Sequence, residues 1–155
     1  MEPDRKMAGK VANDHTHSFG MYLDITVKAI KQDIIRTFKQ EGIDITPEQW
    51  TILNMVEEDQ VTQRDLADAS FKDAPTVSRI IDLLEAKGYL NRKADKSDRR
   101  RFVIGITNSG KKILEKSSPI IYNARKRGWR GLSNDDFEDL KRILDRIYSN
   151  IQEDQ

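Results

Sequence analysis

The sequence predicts a mostly α-helical fold with a small β-hairpin wing, and three observations predict it. Apolar residues recur at three- and four-residue steps through most of the chain. Two short helical stretches, starting at Thr62 and Asp73, flank the four-residue turn Ser70-Phe71-Lys72-Asp73. Immediately after them, two extended segments enclose the polar run Asp95-Lys96-Ser97-Asp98-Arg99-Arg100. Helix, turn, helix and basic hairpin in that order is a winged helix-turn-helix.

The elements follow along the chain. Residues 1–17 read as a mobile arm. From Ser18, Phe19, Leu23, Val27, Ile30, Ile34 and Phe38 make one apolar stripe that ends near Gly42. Thr46-Pro47-Glu48-Gln49 is a helix start: Thr46 caps, Pro47 suits the first turn and Gln49 closes a capping box. Thr62 with Asp65 three positions on starts the next helix, which stops around Ser70. Asp73 caps a helix whose buried stripe is Val77, Ile80, Ile81 and Leu84, and Gly88 ends it.

Tyr89 to Ala94 and Arg101 to Ile106 are the two strands of the hairpin. Thr107 caps a long helix to about Gly128, with an interruption and kink expected at Pro119. Ser133 and Asp136 stand at capping-box spacing before a last helix. There Phe137, Leu140, Leu144, Ile147 and Ile151 form an apolar seam two heptads long.

Composition bounds the function. The 155 residues suit one domain, or two small lobes sharing a core, at 37% hydrophobic and 34% charged content. No apolar run approaches the ~18 residues of a membrane span, and Met1 to Ser18 lacks a signal-peptide core, so the expected location is the cytoplasm. With no cysteine, disulfides, thiolate metal sites and thiol redox sensing are all excluded. His15 and His17 in a polar arm read as solvent-exposed side chains, not as metal ligands. There is no nucleophile–base pairing, phosphate loop or metal-ligand spacing, so neither an enzyme nor a cofactor is expected.

Net charge is only +1, yet charge is segregated. Residues 41–68 carry eight acidic groups against Arg64 alone, whereas residues 87–101 carry seven basic groups against Asp95 and Asp98. A nearly neutral chain of this kind can present one strongly positive face.

With ~100° per residue, Val77, Ile80, Ile81 and Leu84 share one side of their helix. Pro75, Arg79 and Asp82 lie opposite, with Thr76 and Ser78 on the flanks. A small polar face of this kind fits the major groove. Arg79 can donate two bonds to guanine, and Thr76 and Ser78 can reach a base edge or phosphate. Asp82 and Glu85 would repel phosphates, so only the first two turns should enter. Thr62, Gln63 and Lys72 are candidate phosphate contacts. At the hairpin tip, Arg99, Arg100 and Arg101 reach the backbone or the narrow minor groove, with Asp98 orienting an arginine.

Together, Thr62-Gln63-Arg64-Asp65-Leu66-Ala67, Thr76-Val77-Ser78-Arg79, Leu84-Glu85-Ala86-Lys87-Gly88-Tyr89-Leu90, Asp98-Arg99-Arg100 and Ile106-Thr107-Asn108-Ser109-Gly110 resemble the MarR family of transcription factors over about residues 18–152. The family's Asp-x-Arg pair falls on Asp98 and Arg100.

The resemblance implies a winged lobe (about 46–107) on a helical dimerisation region (about 18–41 and 108–152). Leu23, Ile30, Phe137, Leu140, Leu144, Ile147 and Ile151 supply its apolar faces. It implies a homodimer reading a pseudo-palindromic duplex, its two recognition helices about 34–36 Å apart. It also implies a small effector, bound where the lobes meet, that shifts this spacing; Phe19, Tyr22 and Trp50 are the candidate lining, and ordinary core packing is the favoured reading of the same residues. The function expected is a DNA-binding regulator, in the form of a homodimeric repressor. The alternative is a winged-helix protein-interaction module that does not bind DNA.

Overall fold

The computed structural model describes residues 15–57, 61–95 and 102–153. Six helices and three strands lie among them: α1 (His15–Gln40), α2 (Pro47–Val56), β1 (Val61–Thr62), α3 (Gln63–Ser70), α4 (Ala74–Ala86), β2 (Leu90–Ala94), β3 (Phe102–Ile106), α5 (Asn108–Gly128) and α6 (Asn134–Glu153). This mostly helical chain with a small antiparallel sheet is the winged helix-turn-helix fold expected from the sequence. No helix among the described residues is long and apolar enough to cross a membrane.

Local hydrogen bonds set the helix starts. Thr46 Oγ1 accepts from the Gln49 amide at 3.1 Å, and Gln49 Oε1 accepts from the Thr46 amide at 3.1 Å. Thr62 and Asp65 make the same reciprocal pair, as do Ser133 and Asp136. Each box satisfies two of the amides that a helix leaves unpaired at its N-terminus.

α1 begins at His15, three residues before the expected Ser18. No proline or glycine stands between His15 and Ser18 to stop the helical turn from extending backward. α5 runs on through Pro119 without the expected interruption. Its ring is exposed, and the neighbouring hydroxyls of Ser117 and Ser118 donate to the carbonyls of Ile113 and Leu114 at 2.7 and 2.8 Å.

The sheet has the order β1-β3-β2, all antiparallel. β2 and β3 are the expected hairpin, with Leu90 opposite Ile106 and Ala94 opposite Phe102. β1 was not expected: it is two residues long, pairing Val61 with Ile104 and Thr62 with Val103. A pair of residues carries no readable alternation, and only the position of β3 makes it a strand.

The chain divides into two compact units, Met1–Ala124 and Arg125–Gln155. In the first, one core gathers Ile34 and Phe38 of α1, Ile52 and Leu53 of α2, Leu66 of α3, Val77, Ile81 and Leu84 of α4, Ile104 of β3, and Leu114 and Ile121 of α5. The expected grouping of α1 with the last two helices differs from this division. The C-terminal part of α1 and most of α5 bury their apolar faces in the winged lobe's core, so the boundary falls inside α5. In the second unit, Trp129 meets Phe137 edge to face, with ring centroids 5.6 Å apart. α6 buries none of its residues within the chain.

Candidate nucleic-acid interface

The helix-turn-helix is α3, a tight turn and α4. α3 ends on Phe71, which adopts the left-handed conformation (φ 53°) and donates its amide to the Ala67 carbonyl. That geometry reverses the chain within three residues. Asp73 then caps α4, accepting from the Thr76 amide at 2.8 Å and from the Thr76 hydroxyl at 2.8 Å. These bonds to the charged form hold the Asp73 carboxyl below its ordinary value.

Packing decides which face of α4 is free. Val77, Ile80, Ile81 and Leu84 are buried, while Pro75, Thr76 and Arg79 are exposed and Ser78 is half-buried. No described residue pairs with the Arg79 guanidinium, whose five donors are therefore available to a ligand. Thr62, Gln63 and Lys72 are half-buried at the start and end of α3. The Thr62 hydroxyl already donates to Asp65 at 2.6 Å, so Thr62 serves the helix start first. Asp98, Arg99, Arg100 and Arg101, the expected wing-tip contacts, lie outside the described residues.

Two features of the frame were not read from the sequence. The first is Arg92, on β2. Its guanidinium pairs with Asp82 and Glu85 of α4, and its backbone amide donates to Glu85 Oε1 at 3.2 Å. Neither carboxylate is therefore an uncompensated anion on the recognition helix.

The second is a latch behind that helix. The Tyr89 hydroxyl donates to Asp44 Oδ1 at 2.7 Å, and Lys87 Nζ donates to the Asp44 carbonyl and lies 3.6 Å from Asp44 Oδ2. Lys116 Nζ donates to the Glu41 carbonyl at 2.6 Å. The loop after α1 thereby holds both the C-terminal end of α4 and α5.

The Tyr89 bond, aided by Lys87 and opposed by burial, keeps the Asp44 carboxyl below its ordinary value of 3.8. The same bond pushes the Tyr89 phenol up to about 12 from 10.0. The depressed carboxylate contributes stability above pH 3.8, which is lost as pH falls through the folded value. The raised phenol contributes stability below pH 10.0, lost as pH rises toward about 12. Urea midpoints measured against pH should therefore show an acid flank that Asp44→Asn flattens and an alkaline flank that Tyr89→Phe flattens. Unchanged flanks in both variants would dismiss the latch.

The three candidate effector-pocket residues are not brought together within one chain. Trp50 is 8% exposed in the core, and its indole N–H donates to Ser118 Oγ at 3.2 Å. Phe19 and Tyr22 are exposed on the first turns of α1. Lys31, farther along α1, is the residue that pairs with Glu48 of α2, at 2.7 Å. Phe19 precedes that contact by twelve residues, about 18 Å of helix. The expected dimerisation residues Leu23, Ile30, Phe137, Leu140 and Ile151 are exposed, and Leu144 and Ile147 are half-buried.

Comparison with known proteins matches this arrangement. Residues 43–101 match the model of the MarR family. The structure of S. aureus MepR in its DNA complex is similar at 30% identity, over 85% of this chain and 97% of that one, with a TM-score of 0.77. The transcriptional regulator PA3341 is 26% identical over 87% of this chain and 98% of its own, with a TM-score of 0.72. MarR from E. coli, at 19% identity over 83% of this chain and 96% of its own, shares the fold with a TM-score of 0.65. The family model lies on α2, the helix-turn-helix and the first strand of the wing, and the MepR similarity extends over most of this chain and nearly all of that one; this chain belongs to the MarR family of transcriptional regulators.

Proposed function

We propose that the protein is a homodimeric repressor that reads a pseudo-palindromic duplex and releases it when a small effector binds. The observation that carries the DNA reading is the free face of α4. Pro75, Thr76 and Arg79 are exposed on a helix whose opposite side is locked in the core, and Arg79 has no partner among the described residues. A helix N-terminus adds backbone amides and a favourable dipole for a phosphate beside that face. MepR, similar along nearly all its length, is a protein whose structure holds DNA.

Gln63 and Lys72 flank α3 where phosphates would pass. Arg99, Arg100 and Arg101, with Asp98 orienting, would take the minor groove by their place in the sequence.

The dimer reading rests on apolar surface. α6 leaves Phe137, Leu140 and Ile151 exposed on one seam and buries none of its residues. α1 leaves Phe19, Leu23 and Ile30 exposed ahead of its buried half. Exposed apolar stripes of this kind mark interfaces, and two copies covering them would present two recognition helices. Occupying both half-sites would exclude other proteins from that stretch of duplex. An effector preferring a different spacing of the helices by about 2.7 kcal/mol would weaken DNA binding about a hundredfold.

Selection from a random duplex pool, followed by titration of the enriched sequence at two salt concentrations, tests the reading. The expected result is an inverted repeat bound with an affinity that falls steeply with salt, as counterion release requires. No enrichment, or binding indifferent to salt, would end it.

A further inference from the structure

Arg92 stands outside every motif that points to DNA, yet its guanidinium and its backbone amide both bond to α4 from the wing. Asp82 shares the outward face of α4 with Pro75 and Arg79, one turn beyond Arg79. Glu85 lies to the side facing β2. Left alone, these two carboxylates would put negative charge beside a bound duplex, where it opposes the backbone phosphates. One guanidinium, on a side chain 26% exposed, bridges both. Its planar fork suits two carboxylates better than a point charge would.

β2 is also an edge of the three-stranded sheet, by the order β1-β3-β2. An edge strand has outward amides with no strand to receive them. The Arg92 amide points outward and is received by Glu85 Oε1 at 3.2 Å. The same two residues thus satisfy one amide of the sheet edge and tie the wing to the recognition helix.

We propose that Arg92 is a positioning residue for DNA binding, pinning the wing strand against the recognition helix and compensating the Asp82 and Glu85 carboxylates that the helix would otherwise present to the duplex. The proposal rests on the DNA reading above. It assigns Arg92 no contact with DNA. Its effect passes through the two carboxylates, so it vanishes when they are neutral.

A double-mutant cycle separates the possibilities. Duplex affinity is measured for the wild type, Arg92→Ala, the Asp82→Asn/Glu85→Gln variant, and the triple variant. Arg92→Ala should weaken binding about tenfold in the native background and less than about twofold in the neutralised one. Equal losses in both backgrounds would mean that Arg92 meets the DNA itself and would overturn the proposal, as would no loss in either.

Amide hydrogen exchange on the free protein gives a second reading that needs no DNA. Exchange across Leu90–Ala94 should quicken in Arg92→Ala, and unchanged exchange would overturn the brace. Failure of the DNA reading has its own signature, a wild-type protein that binds no duplex; the exchange measurement then still decides for or against the brace.

Discussion

Gly110→Ala should destabilise the protein by about 3 kcal/mol, near the upper end for overpacking. A Cβ built on Gly110 would fall 2.1 Å from the Tyr89 carbonyl oxygen, 2.7 Å from Ile106 Cγ1 and 3.0 Å from the Tyr89 carbonyl carbon. Two of these three atoms are backbone, and that backbone has no freedom to withdraw. The Tyr89 carbonyl already accepts from the Thr107 amide at 3.0 Å and from the Thr107 hydroxyl at 3.2 Å. Thr107 Oγ1 in turn accepts from the Gly110 amide at 3.0 Å, capping α5. A methyl group here must push the start of α5 away from the segment leading into β2.

The melting temperature should fall by roughly 6–12 °C, at roughly 2–4 °C per kcal/mol for a chain of this size. Gly20→Ala is the matched control. Nothing lies within 4 Å of a Cβ built on it, in the second turn of α1, so it should be neutral or stabilising by about 0.5–1 kcal/mol. A Gly110→Ala protein that melts with the wild type would show that the close approach is absent.

Arg79→Ala should cost about 1–3 kcal/mol of binding to the selected duplex and relax the preference at one base pair of each half-site. The fold should not notice the change, because Arg79 is exposed and its guanidinium holds no described partner. Loss of a phosphate contact would weaken all sequences alike and reduce the salt slope. Loss of a bidentate base contact would weaken the selected sequence far more than a scrambled one. Comparing the two duplexes at fixed salt reads the difference. Equal affinities for wild type and variant on both would remove Arg79 from the interface.

The parts of the fold legible in the sequence share one property: the residues that determine them are close together along the chain. The boxes at Thr46, Thr62 and Ser133 each act over three residues. The buried stripe of α4 is a matter of helical period. The hairpin follows from its alternating strands and from the turn formers between them.

The unread parts are links between residues far apart. Asp44 meets Tyr89 across 45 positions and Lys116 meets Glu41 across 75, with no period or spacing to announce either. β1 exists because β3 passes beside it. Asp82 was read as a charge that keeps the second half of α4 from DNA; only the packing of β2 against α4 brought Arg92 to it.

By itself, then, the sequence determined the order of elements, the helix starts and the polar face of α4, because each is set by backbone hydrogen bonding and burial over one or two turns. Tertiary structure alone decided which charges are compensated, where the core divides the chain, and that Phe19 and Tyr22 are exposed. Those outcomes depend on which surfaces meet when the chain closes on itself, and sequence distance carries no record of that.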